Sequence, residues 1–347
     1  MREGTTSASD PAKVTVERFD VLQCMTVRCL CICLAAALSA HAGTLRVALV
    51  TKGNSNEYWK TVHAGAVKAE RDLAAAGTAV QLLWAAPPTE SSDAEEAGLI
   101  NGFVADKVDG IVLSPTNVQA LVPPVKAAFD AGIPTVVIDS GLNDASQVSF
   151  VATDNYNGGM VAARRIGSLL HWHGRVVLFR FLRHSAGTNA RESGFLDTIG
   201  SQFHGLTVID SSHYSGATYE DAKKSAAALL SEYGASTDAI FCSNEIASTG
   251  MLRALRETAL GKGKTKLIVF DASTDTLEGL QSGDVQGIVV QNPFLIGYVG
   301  VRTLVDHLQG KAVEQTIDTG CRLVTPENIS TPEVAELLHP PVDKYVE

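Results

Sequence analysis

The sequence predicts an α/β protein made of two doubly wound lobes. Short apolar runs bounded by turn residues alternate with segments of helical periodicity, and one strand–helix unit occurs twice along the chain. The chain has 347 residues, of which 45% are hydrophobic and 19% are charged. A chain of this length and composition can form about two domains, each with a sizeable core.

The predicted strands are continuous apolar runs, as is typical of parallel strands buried on both faces of a sheet. They cover residues 45–50, 80–84, 110–113, 134–138, 148–152, 176–179, 206–209, 239–242, 267–270 and 285–290. Between them, apolar residues recur at helical spacing in three stripes: Trp59, Val62, Ala66, Ala69 and Leu73; Leu121, Val125, Ala128 and Phe129; and Met251, Leu252 and Leu255. Gly77, Gly132 and Gly234 stand where helices are expected to end.

The repeat places the same residue types at equivalent points of the two halves. Residues 108–114 resemble residues 237–243, and in each half a helix and a strand ending in an aspartate follow, Asp139 in the first half and Asp271 in the second. Ligands of open α/β sheets bind beyond the carboxyl ends of the strands. Two such edges facing each other would form a cleft.

Charge and cysteine content argue against several classes of protein. Lys and Arg number 28 against 38 Asp and Glu, for a net charge of −10, which disfavours binding to nucleic acid or to an anionic membrane surface. The sequence lacks the pair of C-x-x-C motifs that is typical of a structural zinc site, so such a site is not expected. Cys242 and Cys321 could pair in an oxidising compartment, but buried free thiols are the favoured interpretation.

The N-terminal region has the pattern of an export signal. Arg28 precedes an uncharged apolar run at residues 29–38, and Ala40-His41-Ala42 forms an A-x-A cleavage site. The run is too short to span a bilayer as a helix. We therefore expect residues 1–42 to be an upstream extension and signal peptide with the true start at Met25, removed after Ala42 to give a periplasmic protein.

Polar side chains follow the predicted strands in both halves. They are Lys52, Asn56, Ser114, Asp139, Arg191, Asn244, Asp271 and Gln291. A single residue of this kind is often only a helix cap or a turn former, but their recurrence at equivalent strand ends points to a ligand with many hydroxyl groups, each of which needs a partner. Tyr58 and Trp59 begin a helix; Trp59 fits the core stripe, whereas the Tyr58 ring could face the cleft and stack on a sugar.

Several ordered motifs carry a resemblance to a known family. They are Asn56-Glu57-Tyr58-Trp59, Leu113-Ser114-Pro115-Thr116, Ala131-Gly132-Ile133-Pro134 with Ile138-Asp139, Ala152-Thr153-Asp154-Asn155, Ala190-Arg191-Glu192, Ser243-Asn244-Glu245 and Gln291-Asn292-Pro293. Over residues 45–325 the chain resembles the type I periplasmic binding proteins of sugar ABC transporters, the ribose-binding-like group. The resemblance implies two parallel-sheet lobes joined by a three-stranded hinge that crosses near Thr153, Gln291 and Gly320.

The resemblance also implies lobe boundaries and a ligand site. The N-terminal lobe would comprise residues 44–153 and 292–320, and the C-terminal lobe with its tail residues 154–291 and 321–347. The implied ligand contacts are Lys52, Asn56, Tyr58, Trp59, Ser114, Asp139, Ser140, Arg191, Asn244, Asp271 and Gln291. Lys52 and Ser140 depart from the residues of ribose binders, and Ala217 stands where they carry an aromatic residue of the second lobe. We therefore expect a cleft that lacks one aromatic wall.

The implied function is the solute-binding subunit of an ABC importer. Such a subunit would capture a small neutral sugar or polyol by hinge closure and deliver it to the membrane permease, as a monomer with neither cofactor nor metal. A ligand-sensing receptor subunit for chemotaxis or quorum sensing, with a chemoreceptor as partner, would use the same cleft. An enzyme acting on sugar conjugates, with Asp139 and Asp271 as a carboxylate pair, and a repressor of the lactose type are the weaker alternatives.

Overall fold

The computed structural model describes residues 43–54, 56–143 and 146–346. The expected upstream extension and export signal, residues 1–42, lie outside the described residues. Within the described ranges the strands are β1 (Leu45–Val50), β2 (Val80–Ala85), β3 (Gly110–Leu113), β4 (Thr135–Ile138), β5 (Ser149–Ala152), β6 (Gly174–Phe179), β7 (Leu206–Asp210), β8 (Ala239–Cys242), β9 (Lys266–Phe270), β10 (Gly287–Gln291), β11 (Thr316–Asp318) and β12 (Cys321–Val324).

The helices lie between these strands, as the alternating pattern predicts. They are α1 (Glu57–Ala75), α2 (Asp93–Ala105), α3 (Val122–Asp130), α4 (Asn155–Leu169), α5 (Ala186–Gln202), α6 (Tyr219–Tyr233), α7 (Glu245–Arg256), α8 (Thr274–Ser282), α9 (Pro293–Leu308) and α10 (Pro332–Leu338). Gly77 and Gly132 follow α1 and α3 with φ of 89° and 75°, which glycine adopts without steric cost.

Two six-stranded sheets form two lobes with the same strand order. The first sheet runs β11-β5-β4-β3-β1-β2 and the second runs β12-β10-β9-β8-β6-β7. Neighbouring strands are parallel, with the exception of β12, which pairs antiparallel with β10. The repeated unit of the sequence thus appears as two copies of one doubly wound sheet, and the predicted fold class is confirmed.

The chain passes between the lobes at three closely spaced points. It leaves the first sheet after β5 and enters α4 of the second lobe, returns from β10 into α9 of the first lobe, and crosses again between β11 and β12. After α10, whose Val334 lies in the second-lobe core, the chain returns to the first lobe, where the Arg71 side chain donates to the Lys344 carbonyl.

Both faces of each sheet are buried, which explains the continuous apolar runs. In β1, Val47 and Leu49 pack in one core cluster and Ala48 and Val50 in the cluster on the opposite face. Successive side chains of a strand point to opposite faces, so the middle of a strand covered by helices on both sides is apolar at consecutive positions. The second sheet is built in the same way.

Two details differ from the sequence-based expectations. Strands β11 and β12 extend the two sheets but were not predicted, because they have three and four residues and carry polar side chains. Phe129 was placed on a core stripe, yet its side chain is exposed, because the short helix α3 ends one residue later. Cys242 is buried and Cys321 half-buried, and both are free thiols, which is the interpretation that the sequence favoured.

Candidate ligand-binding cleft

A cavity lies between the carboxyl ends of the two sheets. The cavity is lined by Lys52, Asn56, Tyr58, Trp59, Glu90, Asp139, Phe181, Ser185, Gly187, Thr188, Arg191, Asn244, Glu245, Asp271 and Gln291. Most of these residues follow a strand directly or begin the next helix, which is where the doubly wound topology brings chain segments together.

Asp139 is the centre of the first-lobe side of the cavity. Lys52 Nζ lies 3.1 Å from Asp139 Oδ2, and Ser114 Oγ donates to the same oxygen over 3.0 Å. The Tyr58 hydroxyl donates to Oδ1 over 2.7 Å. Burial by itself raises the pKa of Asp139, but the positive charges of Lys52 and Arg191 outweigh it, so that the pKa lies below its ordinary value.

Arg191 and Asp271 form the corresponding pair of the second lobe. Arg191 Nη1 lies 3.4 Å from Asp271 Oδ2 and donates to the Ser243 carbonyl over 2.9 Å, while Nε donates to Asn155 Oδ1 over 2.7 Å. The guanidinium also stacks 3.8 Å above the Phe270 ring. These contacts fix the arginine in one orientation at the base of the cavity.

Close packing of two helices places Arg191. A Cβ atom on Gly159 of α4 would lie 1.8 Å from the Arg191 carbonyl oxygen, and one on Gly194 of α5 would lie 2.0 Å from the Tyr156 carbonyl oxygen. Only glycine permits this approach of the two backbones. The two glycines therefore set the depth at which α5 presents the arginine.

Asp139 and Asp271 occupy equivalent positions with the same unusual backbone. Each follows the fourth strand of its lobe, and their φ angles are 61° and 68°. The backbone N–H of Asp139 donates to Val151 and that of Asp271 donates to Val289, each over 2.9 Å. Aspartate and asparagine tolerate this left-handed region better than most residues, so the turn directs both carboxylates into the cleft.

Most of the predicted site residues meet at the cavity. Of the eleven, only Ser114 and Ser140 do not line it. The Ser114 hydroxyl donates to Asp139 from behind, and Ser140 Oγ accepts from the Gly187 backbone N–H of the other lobe over 3.1 Å. Asn56 and Asn244 line the cavity and also cap α1 and α7. Each of these residues therefore serves both as a helix cap and as part of the cleft.

Two glutamates of the cavity were missed. Glu90 Oε1 accepts from Asn56 Nδ2 over 3.0 Å and from Trp59 Nε1 over 2.9 Å. Glu245 accepts from the Tyr219 hydroxyl and, over 3.3 Å, from the Tyr58 backbone N–H. Glu245 could have been found, because it adjoins Asn244 in the Ser243-Asn244-Glu245 motif. Glu90 lies in the loop after β2, beyond a Pro87-Pro88 pair, and no motif or periodicity in the sequence marks it as a site residue.

The expected loss of an aromatic wall from the second lobe is wrong. Phe181, two residues beyond the end of β6, lines the cavity and is 1% exposed. It packs against Ala222 and Ile246. An aromatic ring therefore faces the cavity from the second lobe, although it comes from a different strand end than position 217.

The lobes touch across the cleft, so the structure is a closed form. The Val118 backbone N–H donates to the His184 carbonyl over 3.0 Å, and the Thr274 hydroxyl donates to Glu57 Oε1 over 2.9 Å. Together with the Ser140–Gly187 and Tyr58–Glu245 hydrogen bonds, these contacts surround the cavity on several sides. A ligand inside it would be enclosed by both lobes.

The pKa of Glu245 gives a testable pH dependence of stability. Burial raises this pKa from 4.5 to about 8, so the folded protein holds a proton that the unfolded chain releases. The stabilisation is complete below pH 4.5 and is lost as the pH rises through about 8. Glu245→Gln cannot ionise, and its free energy of unfolding is expected to fall less between pH 5 and 9.

Thermal unfolding at a series of pH values measures this effect. At pH 9 we expect Glu245→Gln to melt several degrees above the wild type, since 1 kcal/mol shifts the melting temperature of proteins of this size class by roughly 2–4 °C. Glu257→Gln, at the exposed end of the same helix, is the matched control and should keep the wild-type slope. Equal slopes for all three proteins would show that Glu245 does not titrate in this range.

The sequence was then compared with known proteins. Residues 47–312 match the periplasmic binding protein domain family. The chain belongs to this family. Among curated members, the ribose import binding protein of Haemophilus influenzae is 27% identical over 294 residues, which cover 84% of this chain and 95% of that protein. The ribose import binding protein of Bacillus subtilis is 26% identical over 239 residues, 68% of this chain and 75% of that protein.

Solved structures of similar proteins share the fold. A carbohydrate transporter solute-binding protein from Agrobacterium radiobacter, in complex with D-arabinose, is 32% identical with a TM-score of 0.79; the match covers 86% of this chain and 99% of that chain. An ABC transporter solute-binding protein from Agrobacterium vitis, with bound D-fucose, is 31% identical with a TM-score of 0.80, covering 85% and 100%.

Among the described residues, no helix has the length and hydrophobicity needed to cross a membrane.

Proposed function

We propose that this periplasmic binding protein captures a small sugar or polyol in the cavity between its lobes and delivers it to the permease of an ABC importer. The observation that carries the proposal is the arrangement of two lobes closed over a cavity rich in charged hydrogen-bonding groups. The family membership and the sugars bound in the two Agrobacterium structures support it.

The cavity groups suit a ligand with many hydroxyls. Carboxylates accept hydrogen bonds from hydroxyl groups, Lys52 and Arg191 donate hydrogen bonds to hydroxyl oxygens, and charged partners make the stronger hydrogen bonds. Gln291 Oε1 is buried without a partner in the described part of the chain. Since an unpaired buried acceptor costs free energy, a ligand hydroxyl donating to this oxygen would stabilise the closed form.

Aromatic rings complete the match to a sugar. Phe181 faces the cavity from one lobe and Tyr58 from the other, and apolar ring faces pack on the C–H faces of a pyranose or furanose. The proposed ligand contacts are the nine predicted residues that line the cavity, together with Glu90, Phe181 and Glu245. Ser114 and Ser140 support the site from outside it.

Hinge closure follows from the three crossings. A ligand enclosed by both lobes must enter through an open form, and the segments near Thr153, Gln291 and Gly320 are the places where the chain passes between lobes. We propose these as the hinge positions. Asp154 and Asn292 cap the helices that begin there, so a rotation in the residue before each cap leaves the helices intact.

A thermal-shift screen tests the proposed function. A ligand at 100 times its dissociation constant adds about 2.7 kcal/mol of stability, which is expected to raise the melting temperature by roughly 5–10 °C. The panel comprises pentoses, hexoses, 6-deoxyhexoses, cyclitols and sugar acids, with D-arabinose and D-fucose included. A panel in which no sugar or polyol shifts the melting temperature would contradict the proposal.

The role of Lys52 is decided by substitution. Because Lys52 lies 3.1 Å from Asp139, we infer that it balances this carboxylate and does not select an acidic ligand. Lys52→Met should therefore weaken all bound sugars alike, by about tenfold or 1.4 kcal/mol, as measured by calorimetry. Loss of binding confined to sugar acids, with neutral sugars retained, would reverse this assignment.

Partners and location are further proposals. We propose export to the periplasm with processing after Ala42, which N-terminal sequencing of the secreted protein checks by finding Gly43 first. We also propose that the mature protein is a monomer. A permease is the proposed partner, and a chemoreceptor would bind the same closed form.

A further inference from the structure

The C-terminal residues 339–346, here called the C-terminal strap, connect the two lobes outside the three hinge crossings. The strap starts at α10, which is fixed to the second lobe. Val334 of α10 is fully buried in the second-lobe core, and Leu337 and Leu338 pack against the same cluster. The family match ends at residue 312, well before this segment.

The far end of the strap is held by the first lobe. The Tyr345 ring lies against Phe294 of α9, with 5.7 Å between ring centroids, and the Arg71 guanidinium of α1 lies 5.1 Å from the Tyr345 ring. Arg71 Nη1 also donates to the Lys344 carbonyl over 2.9 Å. Lys344 and Tyr345 thus dock on two helices of the lobe opposite to α10.

The link between the two ends is short and stiff. Between Leu338 and the single 3₁₀ turn at Val342–Lys344 lie only His339, Pro340 and Pro341. The proline rings fix the backbone φ angle, and a fully extended residue spans at most about 3.6 Å. A link of three residues is short even when fully extended, so lobe separation at this point is limited for as long as both ends stay docked.

The strap also runs beside the ligand cavity. A second cavity is walled on one side by Leu337, Leu338 and Pro340, and on the other by Tyr58, Asp271 and Gln291, which line the ligand cavity as well. The end of α10 and Pro340 of the strap therefore cover one flank of the cleft next to the crossing from β10 to α9, where opening of the lobes would change the path of the strap.

We propose that the C-terminal strap is a clasp that favours the closed form and restrains the opening of the cleft. In this arrangement the docking of Tyr345 and Lys344 on α1 and α9 adds stability to the closed form. Full opening requires either release of this end or distortion of the proline link. The strap thereby sets how often the protein closes and how long it holds a ligand.

A disulfide trap measures closure without any ligand. The Val118 N–H and the His184 carbonyl are hydrogen-bonded across the cleft over 3.0 Å, so their backbones lie close enough for cysteines to bridge in the closed form. In the doubly substituted protein Val118→Cys/His184→Cys, the rate of disulfide formation under a fixed oxidant reports the closed population. Burial slows the native thiols, since it raises the pKa of Cys321 to about 11 and also raises the pKa of Cys242 well above its ordinary value.

Tyr345→Ala and Arg71→Met are the test variants in this background. We expect the disulfide between the two introduced cysteines to form three- to tenfold more slowly in each variant. This range is the effect on an equilibrium of losing one aromatic pair or one cation–π contact. Phe129→Ala, which removes an exposed aromatic side chain of the first lobe away from the strap, should leave the rate unchanged. Circular dichroism confirms that each variant is folded.

The outcome separates this proposal from the proposed function, because no sugar is used. Slower trapping in both strap variants, with the wild-type rate in Phe129→Ala, supports the clasp even if every sugar fails to bind. An unchanged or faster rate in folded Tyr345→Ala and Arg71→Met would overturn it, and sugar binding would stand unaffected.

Discussion

Replacing Asp139 or Asp271 by alanine is expected to weaken sugar binding by about 30- to 150-fold, or 2–3 kcal/mol for each carboxylate. Asp139 accepts hydrogen bonds from Tyr58 and Ser114 and pairs with Lys52. Asp271 Oδ1 accepts from Gln291 Nε2 over 2.7 Å. Each carboxylate therefore orders several donors around the cavity besides bonding the ligand. Titration calorimetry of the mature protein with a sugar from the screen measures the loss.

Controls for this experiment follow from the backbone. Because both aspartates have φ in the left-handed region, alanine adds strain there, whereas asparagine tolerates the turn and keeps the side-chain shape. Asp139→Asn and Asp271→Asn should fold normally and still lose most of the affinity. Asp130→Ala, an exposed residue paired only with Lys126, should bind as the wild type does. Binding within threefold of the wild type in both alanine variants would place the ligand site elsewhere.

Replacing Arg191 by methionine is expected to cost both binding and stability. The substitution removes the cation beside buried Asp271 together with hydrogen bonds to Asn155 and Ser243. Breaking a buried ion pair by removing one partner costs about 3–5 kcal/mol. Burial already raises the pKa of Asp271 above its ordinary value, against the opposing effect of Arg191, so Asp271 will take up a proton more readily in the variant.

Denaturant unfolding and calorimetry measure the two losses separately. Arg191→Lys retains the positive charge but lacks the planar guanidinium group with its several donors. Compared with Arg191→Met, it should recover part of the stability but little of the ligand binding. Arg253→Met is the matched control in the same lobe, because Arg253 forms an exposed pair with Asp275 over 2.7 Å, and such pairs contribute about 0–1 kcal/mol. Equal effects of Arg191→Met and Arg253→Met would mean that the buried pair has no special role.

Local sequence patterns were sufficient to predict the architecture. A run such as Val47 to Val50 is apolar at every position, which only a strand covered on both faces requires, and the repeated strand-to-aspartate pattern reveals two copies of one unit. The patterns failed at β11 and β12, because short edge strands with polar residues gain their stability from neighbouring strands that the local sequence does not specify.

The site residues that directly follow a parallel strand could be predicted, because the direction of the strand alone places them at the edge of the cleft. Asp139 and Asp271 follow buried parallel strands, so the topology carries them to the cleft edge. Ser114 and Ser140 follow strands too, but the structure gives their hydroxyls other partners, Asp139 and the Gly187 N–H. Glu90 reaches the cavity from a loop, held by Asn56 and Trp59, and no periodicity marks a loop residue.

The sequence by itself therefore determined the fold class, the two-lobe plan and the identity of most cavity residues, because burial imposes strict hydrophobic patterns on parallel strands and helices. Only the tertiary structure decided which partners those residues take, that Phe181 supplies the second-lobe ring, and that the C-terminal strap returns from one lobe to the other. These depend on contacts between segments far apart in the chain. Such contacts are fixed by the packing of whole lobes and leave no periodic mark in the local sequence.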